Sequence, residues 1–226
     1  MFIITGASRG IGNFLLRTLI EKGEEVIGIY NSTVPKTHTE HYFHADLTNA
    51  EAVNAFIKTY ESRLKDITLI NAAGISYNSF AHKADMDNWR QVIDVNFVAA
   101  FNMIRLLLPF MRNDNYGRII NFSSVVAQQG VLGTSAYAAS KSALWGLCKS
   151  LAAENAGKNI TANNINLGYF NIGMIEQVPE NMLQTIIEKI PAKRLGEPAE
   201  ILSTMQYIVN TPYLNGTCID LNGGLL

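Results

Sequence analysis

The chain has 226 residues, 48% of them hydrophobic and 16% charged, and a formal net charge of −1. This composition supports a sizeable core, excludes a disordered chain and gives no basic excess for a nucleic-acid partner. Two cysteines are too few for a disulfide framework, which favours a reducing cytoplasm. No apolar run approaches the ~20 residues of a membrane span, and the first strand begins at once. We therefore expect a soluble protein without a targeting segment.

Short apolar runs alternate with helical patterns along the chain. The predicted strands, bounded by Gly, Asn, Asp or Pro, are residues 2–5, 25–30, 40–44, 67–70, 117–122, 159–165 and 216–220. The predicted helices are residues 10–22, 49–62, 86–112 and 135–156. Gly23 supplies a stop for the first helix, and Thr48 with Glu51 has the spacing of a capping box for the second.

This alternation predicts an α/β protein built on one doubly wound, seven-stranded parallel sheet, a Rossmann fold, in a single domain spanning residues 1–226. Loops that leave the carboxyl ends of the strands build the site in such sheets. The irregular stretches available for that purpose are residues 31–39, 72–85, 125–134 and 168–180.

A glycine-rich turn, Thr5-Gly6-Ala7-Ser8-Arg9-Gly10-Ile11-Gly12, joins the first predicted strand to the first helix. Gly6 permits the tight turn, Gly10 lets the backbone approach a pyrophosphate at the helix N-terminus, and Gly12 allows the helix to pack closely on the strand. Such glycines also serve purely structural turns, but the position after a strand favours phosphate binding.

The second predicted strand ends at Tyr30-Asn31-Ser32, without an acidic residue. NAD enzymes place Asp or Glu near this point to bind the ribose, and that charge would repel a 2′-phosphate. Arg9, with Asn31 and Ser32, can bind such a phosphate through charge-assisted hydrogen bonds; the alternative is that Arg9 is a solvated surface charge. The pattern predicts NADP(H) in preference to NAD(H).

Tyr137 and Lys141 lie four residues apart on a predicted helix, and this spacing places both on one face. A neighbouring ammonium lowers the pKa of a phenol, as a general acid/base for an alcohol or ketone requires. Ser124 follows the predicted strand 117–122, where its hydroxyl can donate to a substrate oxygen. The Tyr/Lys spacing alone is common by chance, but the upstream serine and the nucleotide-type turn favour a catalytic site.

These motifs resemble, in their order, those of the short-chain dehydrogenase/reductase family in its compact single-domain branch, and most of all its 3-oxoacyl-[acyl-carrier-protein] reductases. The resemblance covers essentially the whole chain. Besides the glycine-rich turn and the Ser, Tyr and Lys, the matching segments are Asp46-Leu47, Asn71-Ala72-Ala73-Gly74, Asn96, residues 190–196 and Asn222-Gly223-Gly224.

The resemblance implies a role for each of these residues. Tyr137 would protonate the carbonyl oxygen, Lys141 would lower the tyrosine pKa and bind the nicotinamide ribose, Ser124 would polarise the carbonyl, and Asn96 would complete a proton wire to solvent. The hydride comes from the cofactor. The implied cofactor-binding positions are Gly6, Ser8, Arg9, Gly10, Ile11, Gly12, Asn31, Ser32, Asp46, Leu47, Asn71, Ala72, Ala73, Gly74, Tyr137, Lys141, Gly168 and Ile172.

Two positions depart from the family pattern. Leu167 precedes Gly168 where the family carries Pro, and Ile172 stands where a Thr commonly meets the nicotinamide amide. Backbone groups between Gly168 and Ile172 remain available for the carboxamide, but the side-chain hydroxyl contact is lost.

His38, His41 and His44 recur at three-residue intervals, but a loop and a strand would not present them on one face, so we predict no metal site. Trp89 and Trp145 are expected in the core or at a subunit contact. The family's corresponding helices pack across a tetramer interface, so the resemblance implies a homotetramer or homodimer.

The sequence favours an NADPH-dependent reductase of a 3-oxoacyl thioester, with acyl carrier protein as a candidate carrier. Ketones of sugars, steroids or secondary metabolites, and a non-catalytic NADP-sensing protein, stay open as alternatives. A nucleotide-sugar epimerase would need a further substrate domain of about a hundred residues, for which a chain of this length leaves no room. The loops 76–85, 125–134 and 168–180 are mixed in polarity and leave the substrate undecided.

Overall fold

A computed structural model describes residues 1–225, so that Leu226 lies outside the described residues. In this described part of the chain, seven parallel strands form one sheet in the order β3-β2-β1-β4-β5-β6-β7. The strands are β1 (Phe2–Thr5), β2 (Val26–Tyr30), β3 (Tyr42–His44), β4 (Thr68–Asn71), β5 (Gly117–Ser124), β6 (Ile160–Leu167) and β7 (Cys218–Leu221). The predicted doubly wound sheet is confirmed, with strand ends that differ from prediction by at most two residues.

Within residues 1–225, seven α-helices cover the two faces of the sheet. They are α1 (Gly10–Glu21), α2 (Ala50–Tyr60), α3 (Met86–Ile93), α4 (Ala99–Asp114), α5 (Ser135–Asn155), α6 (Glu180–Lys189) and α7 (Pro198–Asn210). A π-helical turn, Asp94–Val98, joins α3 to α4. The four predicted helices are present, whereas α6 and α7 were not predicted.

Two apolar layers sandwich the sheet, because neighbouring residues of a strand point to opposite faces. Leu69 of β4 packs in the layer formed with α2, α4 and α5, and Ile70 packs in the layer formed with α1 and α7. Both side chains are fully buried. This burial on both faces explains why the strands are continuous apolar runs rather than alternating patterns.

The continuous helix Met86–Asp114 is long and apolar enough, by length and composition, to cross a membrane. We expected no such segment, because polar residues interrupt its apolar runs. Its apolar side packs on the sheet, where Met103, Ile104, Leu107 and Met111 are buried. A core helix of this kind passes the same test, so the helix carries no argument for a membrane.

The N-terminus of α2 differs from the predicted capping box. Asn49 is the N-cap residue, and its side chain accepts hydrogen bonds from the N–H groups of Glu51 and Ala52. The Thr48 hydroxyl donates to Asp46 instead, at 2.7 Å. The prediction on Thr48 was wrong because Thr48 and Asn49 are both good caps and only the backbone geometry selects one.

We expect Asn49→Ala to lower the free energy of unfolding by about 1 kcal/mol, the usual cost of an N-cap. Urea unfolding followed by circular dichroism measures this. Thr48→Ala is the matched control and should cost less than about 0.5 kcal/mol. Equal effects of the two substitutions would contradict the assignment of Asn49 as the cap.

Candidate active site

The glycine-rich turn after β1 packs against the turn after β4 at the carboxyl edge of the sheet. Gly6 has φ +66°, and a Cβ built on it would lie 2.7 Å from the Ala73 Cα. The Thr5 hydroxyl oxygen accepts hydrogen bonds from the N–H groups of Ala72 and Ala73, both at 3.1 Å. The predicted cofactor residues of the two turns are therefore neighbours, and only glycine fits at position 6.

The same turn meets the loop that follows β6. Gly10 has φ +52°, and a Cβ on it would lie 3.2 Å from the Gly173 Cα. Arg9 is the N-cap residue of α1 and its side chain makes no capping hydrogen bond. The Arg9 side chain thus does not cap the first N–H groups of α1, and helix N-terminal N–H groups of this kind favour an anion.

A cavity of about 350 Å³ opens beside the ends of β2 and β3. Asn31 and Asp46 line it, and Arg90 and Gln91 of α3 line its opposite side. Arg9 and Ser32 are exposed, which leaves their predicted 2′-phosphate role a prediction. Sequence reasoning missed Arg90 and Gln91, because only the fold brings α3 next to β3.

Ser124, Tyr137 and Lys141 come together where β5 ends beside α5. The Ser124 hydroxyl hydrogen-bonds the Tyr137 phenol, and the Lys141 Nζ lies 5.7 Å from the Tyr137 ring centroid. The Lys141 ammonium donates to the Phe122 carbonyl at 2.7 Å. A phenol, a hydroxyl and a buried ammonium at one strand end form a set that can donate a proton and polarise a carbonyl.

The electrostatics of this group differ from our prediction. Burial raises the pKa of Tyr137; the hydrogen bond from Ser124 opposes this effect, and the nearby Tyr169 adds to it. Burial lowers the pKa of Lys141 to about 8. We predicted a lowered tyrosine pKa, and that prediction was wrong because burial of the phenol outweighs the hydrogen bond. A phenol with a raised pKa stays protonated at neutral pH and is available as a proton donor.

Asn96 lies in the π-helical turn and is buried. Its Oδ1 accepts from the Ile75 N–H at 2.8 Å, while its Nδ2 donates to the Ile75 carbonyl and to the Ser140 hydroxyl. A Cβ on Gly74 would lie 3.3 Å from this Oδ1 and 3.6 Å from the Lys141 Nζ. The side chain of Asn96 therefore fastens the turn after β4 close to Lys141, and the proton wire stays a prediction.

Comparison with known proteins decides the family. The family described as short chain dehydrogenase matches residues 1–183. The chain belongs to this family. This short-chain dehydrogenase is an oxidoreductase that acts on C=O or CH–OH groups.

Relatives of this short-chain dehydrogenase match nearly its whole length. An acetoacetyl-CoA reductase of Shinella zoogloeoides is 35% identical, over 98% of this chain and 96% of the relative. A 3-oxoacyl-[acyl-carrier-protein] reductase of Vibrio harveyi is 31% identical, over 99% and 96%. The crystal structure of a 3-oxoacyl-[acyl-carrier-protein] reductase from Brucella melitensis has TM-score 0.90 and 30% identity, covering 99% of this chain and 90% of the other.

The two departures from the family pattern have structural explanations in this short-chain dehydrogenase. Leu167 extends β6, pairs with Ser124 and Leu221, and is buried. Gly168 follows because a Cβ there would lie 2.7 Å from the Asn222 Cα. Ile172 packs against the apolar layer of α1 and α7, so its side chain serves packing and offers no hydroxyl.

The rings of His38, His41 and His44 do not converge on one point in this short-chain dehydrogenase. The rings of His38 and His41 lie 6.4 Å apart, while the His44 ring contacts Tyr30 at 5.1 Å. Within residues 1–225, no group of three or more His, Cys, Asp or Glu side chains is placed to bind a metal ion. Tyr169, which falls in the loop 168–180, lies beside Tyr137, a neighbourhood that no sequence pattern indicated.

Proposed function

We propose that this chain reduces the ketone of a 3-oxoacyl thioester with NADPH, acting as one catalytic domain over residues 1–226. The observation that carries the proposal is the Ser124–Tyr137–Lys141 group beside the glycine-rich turn. The relatives supply the substrate class, since they are named for acetoacetyl-CoA and for 3-oxoacyl groups on acyl carrier protein.

The backbone at the crevice fits a dinucleotide. Gly10 has φ +52°, a conformation that favours glycine, at the N-terminus of α1, where a pyrophosphate binds favourably. NADPH would supply a hydride to the substrate carbonyl carbon. The residues proposed to bind it are those of the glycine-rich turn, Asn31, Ser32, Asp46-Leu47, residues 71–74, Tyr137, Lys141, Gly168 and Ile172.

The side chains divide the remaining chemistry. Ser124 donates a hydrogen bond to the substrate carbonyl oxygen and orients it beside the Tyr137 phenol. Tyr137 transfers its proton to that oxygen as negative charge develops there. The Lys141 ammonium binds the ribose hydroxyls and stabilises the phenolate that Tyr137 becomes. Asn96 is proposed to complete the proton route from this pair to solvent.

Exposed apolar side chains favour an acyl substrate over a sugar. Phe80, Leu132 and Met174 are 55%, 83% and 51% exposed, and they belong to the loops after β4, β5 and β6. The Ser79 N–H donates to the Gly133 carbonyl, which joins the first two of these loops. An apolar rim around the crevice binds an acyl chain better than a polyol.

The partners and setting are further parts of the proposal. Val98 of the π-helical turn and Phe101 of α4 are large apolar residues with exposed side chains. Their exposure supports a homotetramer or homodimer. The names of the relatives support an acyl-carrier-protein-bound or coenzyme-A-bound substrate. We also propose a cytoplasmic setting, in keeping with free thiols at Cys148 and Cys218.

The test is NADPH and NADH oxidation by the purified protein with acetoacetyl-CoA, a sugar ketone and a steroid ketone. We expect acetoacetyl-CoA with NADPH to give the highest kcat/KM. Arg9→Ala should lower the preference for NADPH about tenfold, the size of one charge-assisted hydrogen bond. Arg17→Ala, an exposed arginine of the same helix, is the matched control and should leave the preference unchanged.

Other outcomes would contradict parts of the proposal. Better use of NADH would overturn the assignment of the 2′-phosphate contact to Arg9. Faster reduction of the sugar ketone or the steroid ketone would identify that ketone, and not the 3-oxoacyl thioester, as the substrate class. Tight NADPH binding without turnover of any ketone would favour the sensing protein.

A further inference from the structure

A line of hydrogen bonds runs from β7 to α5 behind the Ser124–Tyr137–Lys141 group. The Asp220 Oδ1 accepts from the Asn166 Nδ2 at 2.8 Å. The Trp145 indole N–H donates to the Asn166 Oδ1 at 3.1 Å and to the Ser123 Oγ at 2.9 Å. The Ser123 hydroxyl in turn donates to the Lys141 carbonyl at 3.0 Å. Trp145 therefore lies at the junction of three elements, β5, β6 and α5.

The Ser123 and Asn166 oxygens that accept from the Trp145 indole belong to buried residues, so loss of this donor has a large energetic cost. Ser123 is 2% exposed and Asn166 is 1% exposed. A buried oxygen that loses its donor keeps the full cost of its desolvation. The single N–H of Trp145 serves both oxygens, and a replacement without that N–H leaves both short of a donor.

Lys141 is fastened to β5 at both of its ends. Its carbonyl accepts from Ser123, and its ammonium donates to the Phe122 carbonyl. Ser124 is the next residue of the same strand. A shift of α5 against β5 would therefore change both the position of the Lys141 ammonium and the distance between Ser124 and Tyr137.

Helical spacing aligns the three residues of α5 that matter. Tyr137, Lys141 and Trp145 follow one another at intervals of four, so they lie along one face of the helix. The turn after Ser124 is tied to the same network, because the Gln128 Nε2 donates to the Asp220 Oδ1 at 2.8 Å. The Asp220 Oδ1 thus accepts one hydrogen bond from Asn166 of β6 and another from Gln128 in the turn that follows Ser124.

We propose that Trp145 is a positioning residue that acts through Ser123 to set the place of Lys141, and thereby the protonation of Tyr137. The inference rests on the proposed function. The titratable and charged groups around the network are Tyr137, Tyr169, Lys141, Asp220, Cys218 and Lys149. Of these, Tyr169 and Lys141 are the ones beside the Tyr137 phenol.

The test is Trp145→Phe, which keeps an aromatic ring and removes the N–H. We expect kcat for ketone reduction to fall about tenfold, the effect of one net hydrogen bond. The pH profile of kcat should shift as well. Trp89→Phe removes the other indole N–H, which donates to the exposed Ser135, and should leave kcat and its pH profile unchanged.

A second readout needs no turnover. Tyrosine labelled with carbon-13 in the ring reports the Tyr137 titration by NMR, assigned through its loss in Tyr137→Phe. We expect Trp145→Phe and Ser123→Ala to move that titration in the same direction, and the double variant to move it no further. Asp220→Asn, which keeps an acceptor oxygen, should move it less than Asp220→Leu.

Some results would overturn the inference. An unmoved Tyr137 titration and an unmoved pH profile in Trp145→Phe, even with reduced stability, would make Trp145 a purely structural residue. Additive effects of Trp145→Phe and Ser123→Ala would remove Ser123 as the intermediary. Wild-type protein without any ketone reduction would defeat the proposed function alone, since the NMR titration would still decide the positioning role.

Discussion

Replacement of Tyr137 by phenylalanine is expected to lower kcat/KM for ketone reduction about 10²–10⁴-fold, the range for loss of a general acid. The ring remains, so the packing around it stays intact and the free energy of unfolding should change little. NADPH oxidation measured under saturating cofactor gives the rate, and fluorescence titration gives the NADPH Kd, which should stay within about threefold because the phenol is a minor part of that site.

Two comparisons make the Tyr137→Phe result specific. Tyr213→Phe carries the same chemical change at a fully exposed side chain and should have no effect. Ser124→Ala removes the hydroxyl that hydrogen-bonds the phenol and should also lower kcat strongly. A Tyr137→Phe enzyme with near wild-type activity would move the proton donor elsewhere, and Tyr169 would be the next phenol to replace.

Gly12→Ala is expected to lower the free energy of unfolding by about 3 kcal/mol, the upper range for an added methyl group in a packed site. A Cβ at this position would lie 2.4 Å from the Gly6 carbonyl oxygen and 3.0 Å from the Ala7 Cα. These are backbone atoms, so the strain cannot be relieved by turning a side chain. The N-terminus of α1 would have to move away from β1, and NADPH binding should weaken with it.

Urea unfolding and NADPH titration measure the two effects of Gly12→Ala. Gly157→Ala is the matched control, because within residues 1–225 no heavy atom lies within 4 Å of a Cβ built there outside its own turn. We expect this control to change stability by less than about 0.5 kcal/mol. Equal stability of the Gly12→Ala and Gly157→Ala proteins would show that the turn relaxes and that the close packing of α1 on β1 is dispensable.

Most of the sheet and four helices were predictable, because buried parallel strands are short apolar runs and the longer helices repeat apolar residues every three or four positions. The helices α6 and α7 were missed although both have start signals. Pro179 precedes α6, and Glu197 with Glu200 forms the capping box of α7. These signals are short and also occur at turns, so they do not by themselves predict a helix.

The part of the candidate site that lies at the carboxyl edge of the sheet was predictable. Ser124, Tyr137 and Lys141 were expected together and lie together, because β5 ends beside the first turns of α5. The direction of the Tyr137 pKa was not predictable, since it depends on how deeply the fold buries the phenol. Tertiary packing alone brings Arg90 to the cavity that Asp46 lines and Tyr169 to the side of Tyr137, and local patterns do not encode such packing.

The π-helical turn Asp94–Val98 constrains the number of residues that the helix Met86–Asp114 can have. Such a turn contains one residue more than a regular α-helical turn. Each residue of an α-helix rotates the chain by about 100° about the helix axis. Deleting one residue here would swing the following side chains around the axis, taking Met103 and Leu107 away from the sheet. Insertions and deletions should therefore be tolerated in the exposed loops of related chains but be nearly absent from this stretch.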